Sequence, residues 1–192
     1  MNKLTIGSII AGIVVTLWGI FAWMVLDFHK ETFKNCTDEK TLSIMMLVNM
    51  PEHAVYIIPA RPKTHDEESV AEYKKKVESG PHAVIFFLPA GVSLTMTNEI
   101  IYGTLLNILT AMLAGWFLQR STAVTQGFVH RVAFISLLAV FASLTIHFQN
   151  FNWMYFPIKY TAAMSADLII GWILGGAVIA AFIKEKKYEE KL

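Results

Sequence analysis

Hydrophobic and polar positions divide this chain into four long apolar runs and one extended polar stretch, residues 28–99. A helix that crosses a hydrocarbon core of about 30 Å needs about 20 apolar residues, and three of the runs reach or approach that length. The third run is shorter, but Gly127, Phe128 and Phe148 can extend it. The runs cover residues 6–26, 100–118, 132–146 and 161–183. The pattern therefore predicts four transmembrane helices.

The polar stretch is predicted to form a small domain between the first and second helices. Helical spacing is found over residues 37–48 and 66–79, and short runs of β-forming residues cover 54–59 and 82–88. Two strands alone are marginally stable in water, so we expect them to pack on the two helices. The predicted fold class is an α-helical integral membrane protein with a small α+β extracytoplasmic domain.

Four segments follow from this division of the chain. Residues 1–27 form an N-terminal signal-anchor helix, since the apolar run is too long for a signal-peptide core and no A-x-A-type cleavage site follows it. Residues 28–99 form the extracytoplasmic domain, and residues 100–183 form a three-helix transmembrane region. Residues 184–192 are a charged tail.

Charge predicts the orientation of the chain. Basic residues flank the predicted inner ends at Lys3, Arg120 and Arg131, and more lie in the tail, whereas the short loop between the third and fourth runs has only Lys159. By the positive-inside rule both termini are cytoplasmic and residues 28–99 lie outside. The net charge of +1 gives no reason to expect a nucleic-acid partner. Cys36 is the single cysteine, so no intramolecular disulfide can form.

Asp167 is the acidic residue that lies inside a predicted span. A carboxylate there costs about 2.5–3.5 kcal/mol on insertion scales, so it should face protein or water. No lysine or arginine lies inside a predicted span to pair with it. Asn107 lies at a similar depth, and Ser143 lies near the outer end of the third run. A structural polar clamp, a proton or cation relay, and a ligand site are the three alternatives for these residues.

A second candidate site lies at the predicted outer interface. His29 follows the first run, His147 ends the third, and Glu99 precedes the second. Two histidines and a carboxylate could bind a metal, and the histidines could ligate haem. Interfacial histidines without any ligand are the simpler alternative, and we expect no cofactor.

Small residues predict close helix contacts in the membrane. Gly171 and Gly175 are spaced for tight packing, as are Gly176 with Ala180 and Gly12 with Ser8. They could serve either the four-helix bundle itself or a contact with another subunit.

Several short stretches resemble a group of small bacterial inner-membrane proteins of unassigned function. They are MVLDFH (24–29), GPHAV (80–84), HFQNFNW (147–153), YT (160–161) and ADLIIGW (166–172). Members often have proline where this chain has Asp27 and phenylalanine where it has His82. The resemblance implies a bacterial envelope protein with one anchor, an outer domain and three further spans, and it implies no activity.

Motifs of soluble catalysis are absent from the sequence: there is no Walker loop, no G-x-S-x-G and no H-E-x-x-H. We therefore predict that the chain is not an enzyme. Our first hypothesis is a non-catalytic accessory or assembly subunit of a bacterial inner-membrane complex, with the lipid bilayer and other membrane-protein subunits as partners. The alternative is a small transport or redox protein that binds a proton, metal or haem at Asp167 or at the outer histidines.

Overall fold

The computed structural model describes residues 2–183, which form a mostly helical protein with two compact units. The second unit is Asn35–Leu94, and the first contains the described residues on either side of it. The predicted charged tail, residues 184–192, lies outside the described residues. In chain order the elements are α1 (Lys3–Met24), α2 (Glu39–Asn49), β1 (Ala54–Ile58), α3 (Glu67–Ser79), β2 (Ala83–Phe87), α4 (Thr97–Arg120), α5 (Phe128–Ser143), α6 (Gln149–Met154) and α7 (Ile158–Phe182).

Four helices of the first unit are long and apolar enough to cross a membrane, as the sequence predicted. They are α1, α4, the continuous helix Phe128–Met154, and α7. The third of these contains α5, a π-helical turn over Leu144–Phe148, and α6. It therefore extends well beyond the run predicted from the sequence. The helix ends where Tyr155 adopts a left-handed backbone with φ of 56°, and Pro157 then precedes α7.

The bundle is built around α1, which packs against α4 on one side and α7 on the other, while α5 packs on α7. Contacting residues show that these pairs are antiparallel. Gly115 near the end of α4 lies against Leu4 at the start of α1, while Gly12 and Ile108 meet at the middle of the two helices. Gly7 near the start of α1 lies against Phe182 at the end of α7, and Trp18 near the end of α1 lies against Gly171 in the middle of α7. We call the end where α1 and α6 stop and α4 and α7 start the distal end.

Small residues fill the interior of this bundle, and large apolar side chains cover its outside. The fully buried positions include Ala11, Ala111 and Ala180, whereas leucines such as Leu106 and Leu137 are exposed. This distribution is typical of helices that associate in lipid, where close backbone approach rather than the hydrophobic effect holds them together.

The second unit contains the two strands and two helices that the sequence predicted. β1 and β2 pair antiparallel, with Tyr56 opposite Ile85. Neither α2 nor α3 fully buries a side chain. The packing of the strands on the two helices stays a prediction.

Asp66 caps α3 at its N-terminus. Its carboxylate accepts hydrogen bonds from the Ser69 backbone N–H at 2.9 Å and the Ser69 hydroxyl at 3.0 Å. Hydrogen bonding from the Thr64 side chain, and then from Ser69, lowers the pKa of Asp66 from 3.8 to about 2. Such an N-cap satisfies backbone donors that the first helical turn leaves unpaired.

Candidate functional site

Asp167 lies on the face of α7 that packs against α1, and its partner there is Trp18. The Trp18 indole Nε1–H donates to the Asp167 carboxylate Oδ1 at 2.6 Å and to the Asp167 backbone oxygen at 3.1 Å. Gly171, one turn further along α7, lets the indole approach, since a Cβ there would lie 3.0 Å from the Trp18 Cδ1 atom. Gly171 therefore positions the donor that holds the carboxylate.

His29 is the second partner of Asp167, and it is fully buried. Its Nε2 lies 3.3 Å from the Asp167 Oδ2 atom, which is an ion-pair distance. The imidazole stacks on Trp23 with ring centroids 4.2 Å apart, and the Phe28 ring lies at 4.1 Å on a tilt. Two aromatic rings and one carboxylate thus surround a histidine that follows the end of α1.

Local hydrogen bonds fix the turn that carries His29. The chain leaves α1 at Met24 and forms a short 3-10 turn over Lys30–Thr32. The Thr32 hydroxyl donates to the His29 carbonyl at 2.7 Å. Lys30 pairs with Asp27 at 2.8 Å on the exposed side of the turn. This turn brings the imidazole of His29 back onto the bundle.

The His29–Asp167 contact has the chemistry of a proton-sharing pair. The imidazole and the carboxylate together can carry one proton, either as imidazolium and carboxylate or as two neutral groups. The Nε2–Oδ2 contact is not aligned as a hydrogen bond, and Nδ1 has no hydrogen-bond partner among residues 2–183.

His147 lies near the same carboxylate. It belongs to the π-helical turn Leu144–Phe148, which contacts α7, and it interacts electrostatically with Asp167. π-Helical turns inside α-helices occur frequently at functional sites. The site therefore contains Asp167 with one histidine in direct contact and a second nearby.

The structure does not assemble the predicted outer metal site. Glu99 is exposed in the first turn of α4, and His29 has Asp167 as its acidic partner instead. Within the described part of the chain, no three His, Cys, Asp or Glu side chains come together in a way that could hold a metal ion. The reason is the turn after α1, which directs His29 inward.

Asn107 and Ser143 have separate surroundings. The Asn107 side-chain amide donates to the Thr16 hydroxyl at 3.1 Å and so links α4 to α1. The Thr16 hydroxyl in turn donates to the Gly12 carbonyl at 2.9 Å. Ser143 is buried near the end of α5, and its hydroxyl has no partner among the described residues. Of the three predicted intramembrane polar residues, Asp167 alone contacts a histidine.

All four predicted packing glycines make their close contacts inside the bundle. A Cβ on Gly12 would meet the Ile108 backbone, and one on Gly175 would lie 2.8 Å from Val15. Gly171 lies against Trp18, and Gly176 lies against Ile135. These glycines are used for packing within one chain, so they give no argument for a second subunit.

Sequence reasoning missed Trp18 and the pairing of His29 with Asp167. Periodicity places Trp18 on α1 but gives no information about which helix lies beside it. The aromatic residues Trp23 and Phe28 around His29 are the available signal, because aromatic residues next to a histidine at a span end can enclose it.

No protein-family model, curated protein or solved structure matches this chain. The resemblance to small bacterial inner-membrane proteins therefore stays a prediction from the sequence.

Proposed function

We propose that this chain is an integral protein of a bacterial inner membrane that binds and releases a proton at the His29–Asp167 pair, as a small transport protein. The observation that carries the proposal is a fully buried histidine 3.3 Å from a carboxylate within an apolar helix. Ionisable residues inside a membrane are expensive to insert, and they commonly mark proton or ion pathways.

The proposed orientation follows from charge. Arg120 and Arg131 lie at the end of the bundle opposite the distal end, and the positive-inside rule assigns that end to the cytoplasm. The distal end, with His29, then faces the periplasm, and in this proposal residues 28–99 are periplasmic. A proton would enter from that side.

Further titratable and charged groups lie near the pair. The titratable group beside the pair is His147, and the exposed Asp27–Lys30 ion pair lies on the same turn as His29. In this proposal the proton is held between the His29 Nε2 and Asp167 Oδ2 atoms, which lie 3.3 Å apart. Because Trp18 donates to the other carboxylate oxygen, Asp167 keeps one partner in both states.

The experiment that tests this proposal measures proton flux. The full chain is reconstituted into liposomes that contain a pH-sensitive dye, and an imposed pH difference drives the flux. Asp167→Asn and His29→Gln should abolish it. Glu99→Gln and His130→Gln are the matched controls, because both residues are exposed and lie outside the pair, so these variants should retain it. Flux equal to that of empty liposomes, or full flux in Asp167→Asn, would contradict the proposal.

A second candidate function is the accessory or assembly subunit. The observation that favours it is the second unit, which leaves large apolar side chains uncovered: Phe86 is 71% exposed and Leu94 is 98% exposed. A domain without a disulfide and with so little buried surface gains stability when a partner subunit covers it.

Purification from native membranes in mild detergent tests this candidate. A partner recovered in fixed stoichiometry with the native chain should be lost with Phe86→Asp. It should be kept with Lys74→Glu, which changes the charge of an exposed polar residue in the same unit. A chain that purifies alone, or a partner insensitive to Phe86→Asp, would count against an accessory role through this surface.

A further inference from the structure

Three buried hydroxyl groups lie on the facing surfaces of α5 and α7 in the distal half of the bundle. Ser143, Thr161 and Ser165 are 2%, 1% and 6% exposed. Ser143 continues the buried face of α5 one turn after Ala139, and Thr161 and Ser165 are one turn apart on α7. We call these three residues the hydroxyl layer.

The hydroxyl layer differs from several other polar positions of the long helices. Serines and threonines there donate to the carbonyl four residues earlier, which satisfies a hydroxyl in an apolar setting. Thr16, Thr110 and Ser136 do so at 2.9 Å. The hydroxyls of Ser143, Thr161 and Ser165 have no hydrogen-bond partner among the described residues. Their hydrogen-bonding capacity therefore faces the α5–α7 interface. Ser8, buried in α1, is a further hydroxyl without a partner among the described residues.

The layer lies beside one residue near the candidate site. His147 follows Ser143 by one turn. Ser165 precedes Asp167 by two residues, so their side chains leave α7 about 200° apart. The layer therefore borders His147, while the His29–Asp167 pair lies on the α1-facing side of α7.

We propose that the hydroxyl layer binds ordered water between α5 and α7, beside His147. A hydroxyl both donates and accepts, and a buried water typically needs two to four polar partners, so three hydroxyls and an imidazole can hold a short water chain. Hydration of the layer does not rest on the proposed function.

Cysteine accessibility tests hydration directly. Cys36 is first replaced by serine, and single cysteines are then introduced as Ser143→Cys, Thr161→Cys and Ser165→Cys in the full chain. The membranes are treated with Ag⁺, a small ion that reacts only with thiols in contact with water. After denaturation, remaining thiols are counted by a gel shift with a maleimide-polyethylene glycol. The controls are Ala139→Cys, one turn deeper on the same face of α5, and Leu137→Cys on the exposed apolar face.

We expect Ag⁺ to react with the three layer cysteines and so to protect them from the later maleimide shift. Their reaction with Ag⁺ should be at least tenfold faster than that of either control cysteine. Equal reaction rates at Ser143→Cys and Ala139→Cys would overturn the proposal. Since serine and cysteine differ little in size, Ser143→Cys and Ser165→Cys should fold even where Thr161→Cys does not. Protection without proton flux would leave the hydrated layer in place and would reject the transport function instead. Proton flux without protection by Ag⁺ would reject the hydrated layer and leave the transport function in place.

Discussion

Gly12 sets the distance between α1 and α4, and replacing it with alanine should separate these helices. A Cβ on Gly12 would lie 2.6 Å from both the Cα and the backbone N of Ile108. Because backbone atoms cannot rotate away as a side chain can, the two helices must move apart. The displacement should also weaken the Asn107–Thr16 hydrogen bond, since Asn107 is adjacent to Ile108.

Gly19 is the matched control for this substitution. It lies on the same helix, and a Cβ there would meet no atom within 4 Å. Alanine is favoured over glycine within a helix by about 0.5–1 kcal/mol, and this gain applies at both positions. Overpacking costs about 1–3 kcal/mol, and it applies at Gly12 alone. We expect Gly12→Ala to lower the free energy of unfolding by up to about 2.5 kcal/mol, and Gly19→Ala to raise it by about 0.5–1 kcal/mol.

The assay is unfolding in mixed micelles of a mild detergent and increasing dodecyl sulfate, followed by circular dichroism. The midpoint for Gly12→Ala should fall below that of the native chain, while the midpoint for Gly19→Ala should not. Equal midpoints for the two variants would refute the close α1–α4 contact, and with it the structural role assigned to Gly12.

Further predictions concern the capping carboxylate, the interhelical hydrogen bond and the orientation. The folded pKa of Asp66 is lowered from 3.8 to about 2, so its contribution to stability is present above pH 4 and is lost as the pH falls towards 2. Helix content measured by circular dichroism should show this loss in the native chain but not in Asp66→Asn. In a double-mutant cycle, Asn107→Leu and Thr16→Val should show a coupling of about 0.6 kcal/mol and at most about 1.7 kcal/mol, and additive effects would exclude the bond. An impermeant maleimide should label Cys36 in intact cells, and labelling only after lysis would reverse the proposed orientation.

The sequence by itself determined the elements of this protein. Apolar runs of membrane-spanning length predict the four long helices, because their length is a direct requirement of the hydrocarbon thickness. Proline, glycine and short β-forming runs likewise predict the strands and helices of residues 35–94. These signals are local, so they do not depend on which elements become neighbours.

Contacts between helices were decided only by the tertiary structure. Asp167 was identifiable from the sequence as a carboxylate inside an apolar run, and His29 as a histidine after another. That they meet depends on the antiparallel packing of α1 and α7, on Gly171 admitting Trp18, and on the turn that directs His29 inward. The same packing placed Asn107 against Thr16 and left Glu99 exposed. The hydrophobic pattern of each helix shows how much of that helix is apolar. It does not predict which face contacts which neighbouring helix, because all faces of a lipid-embedded helix are apolar.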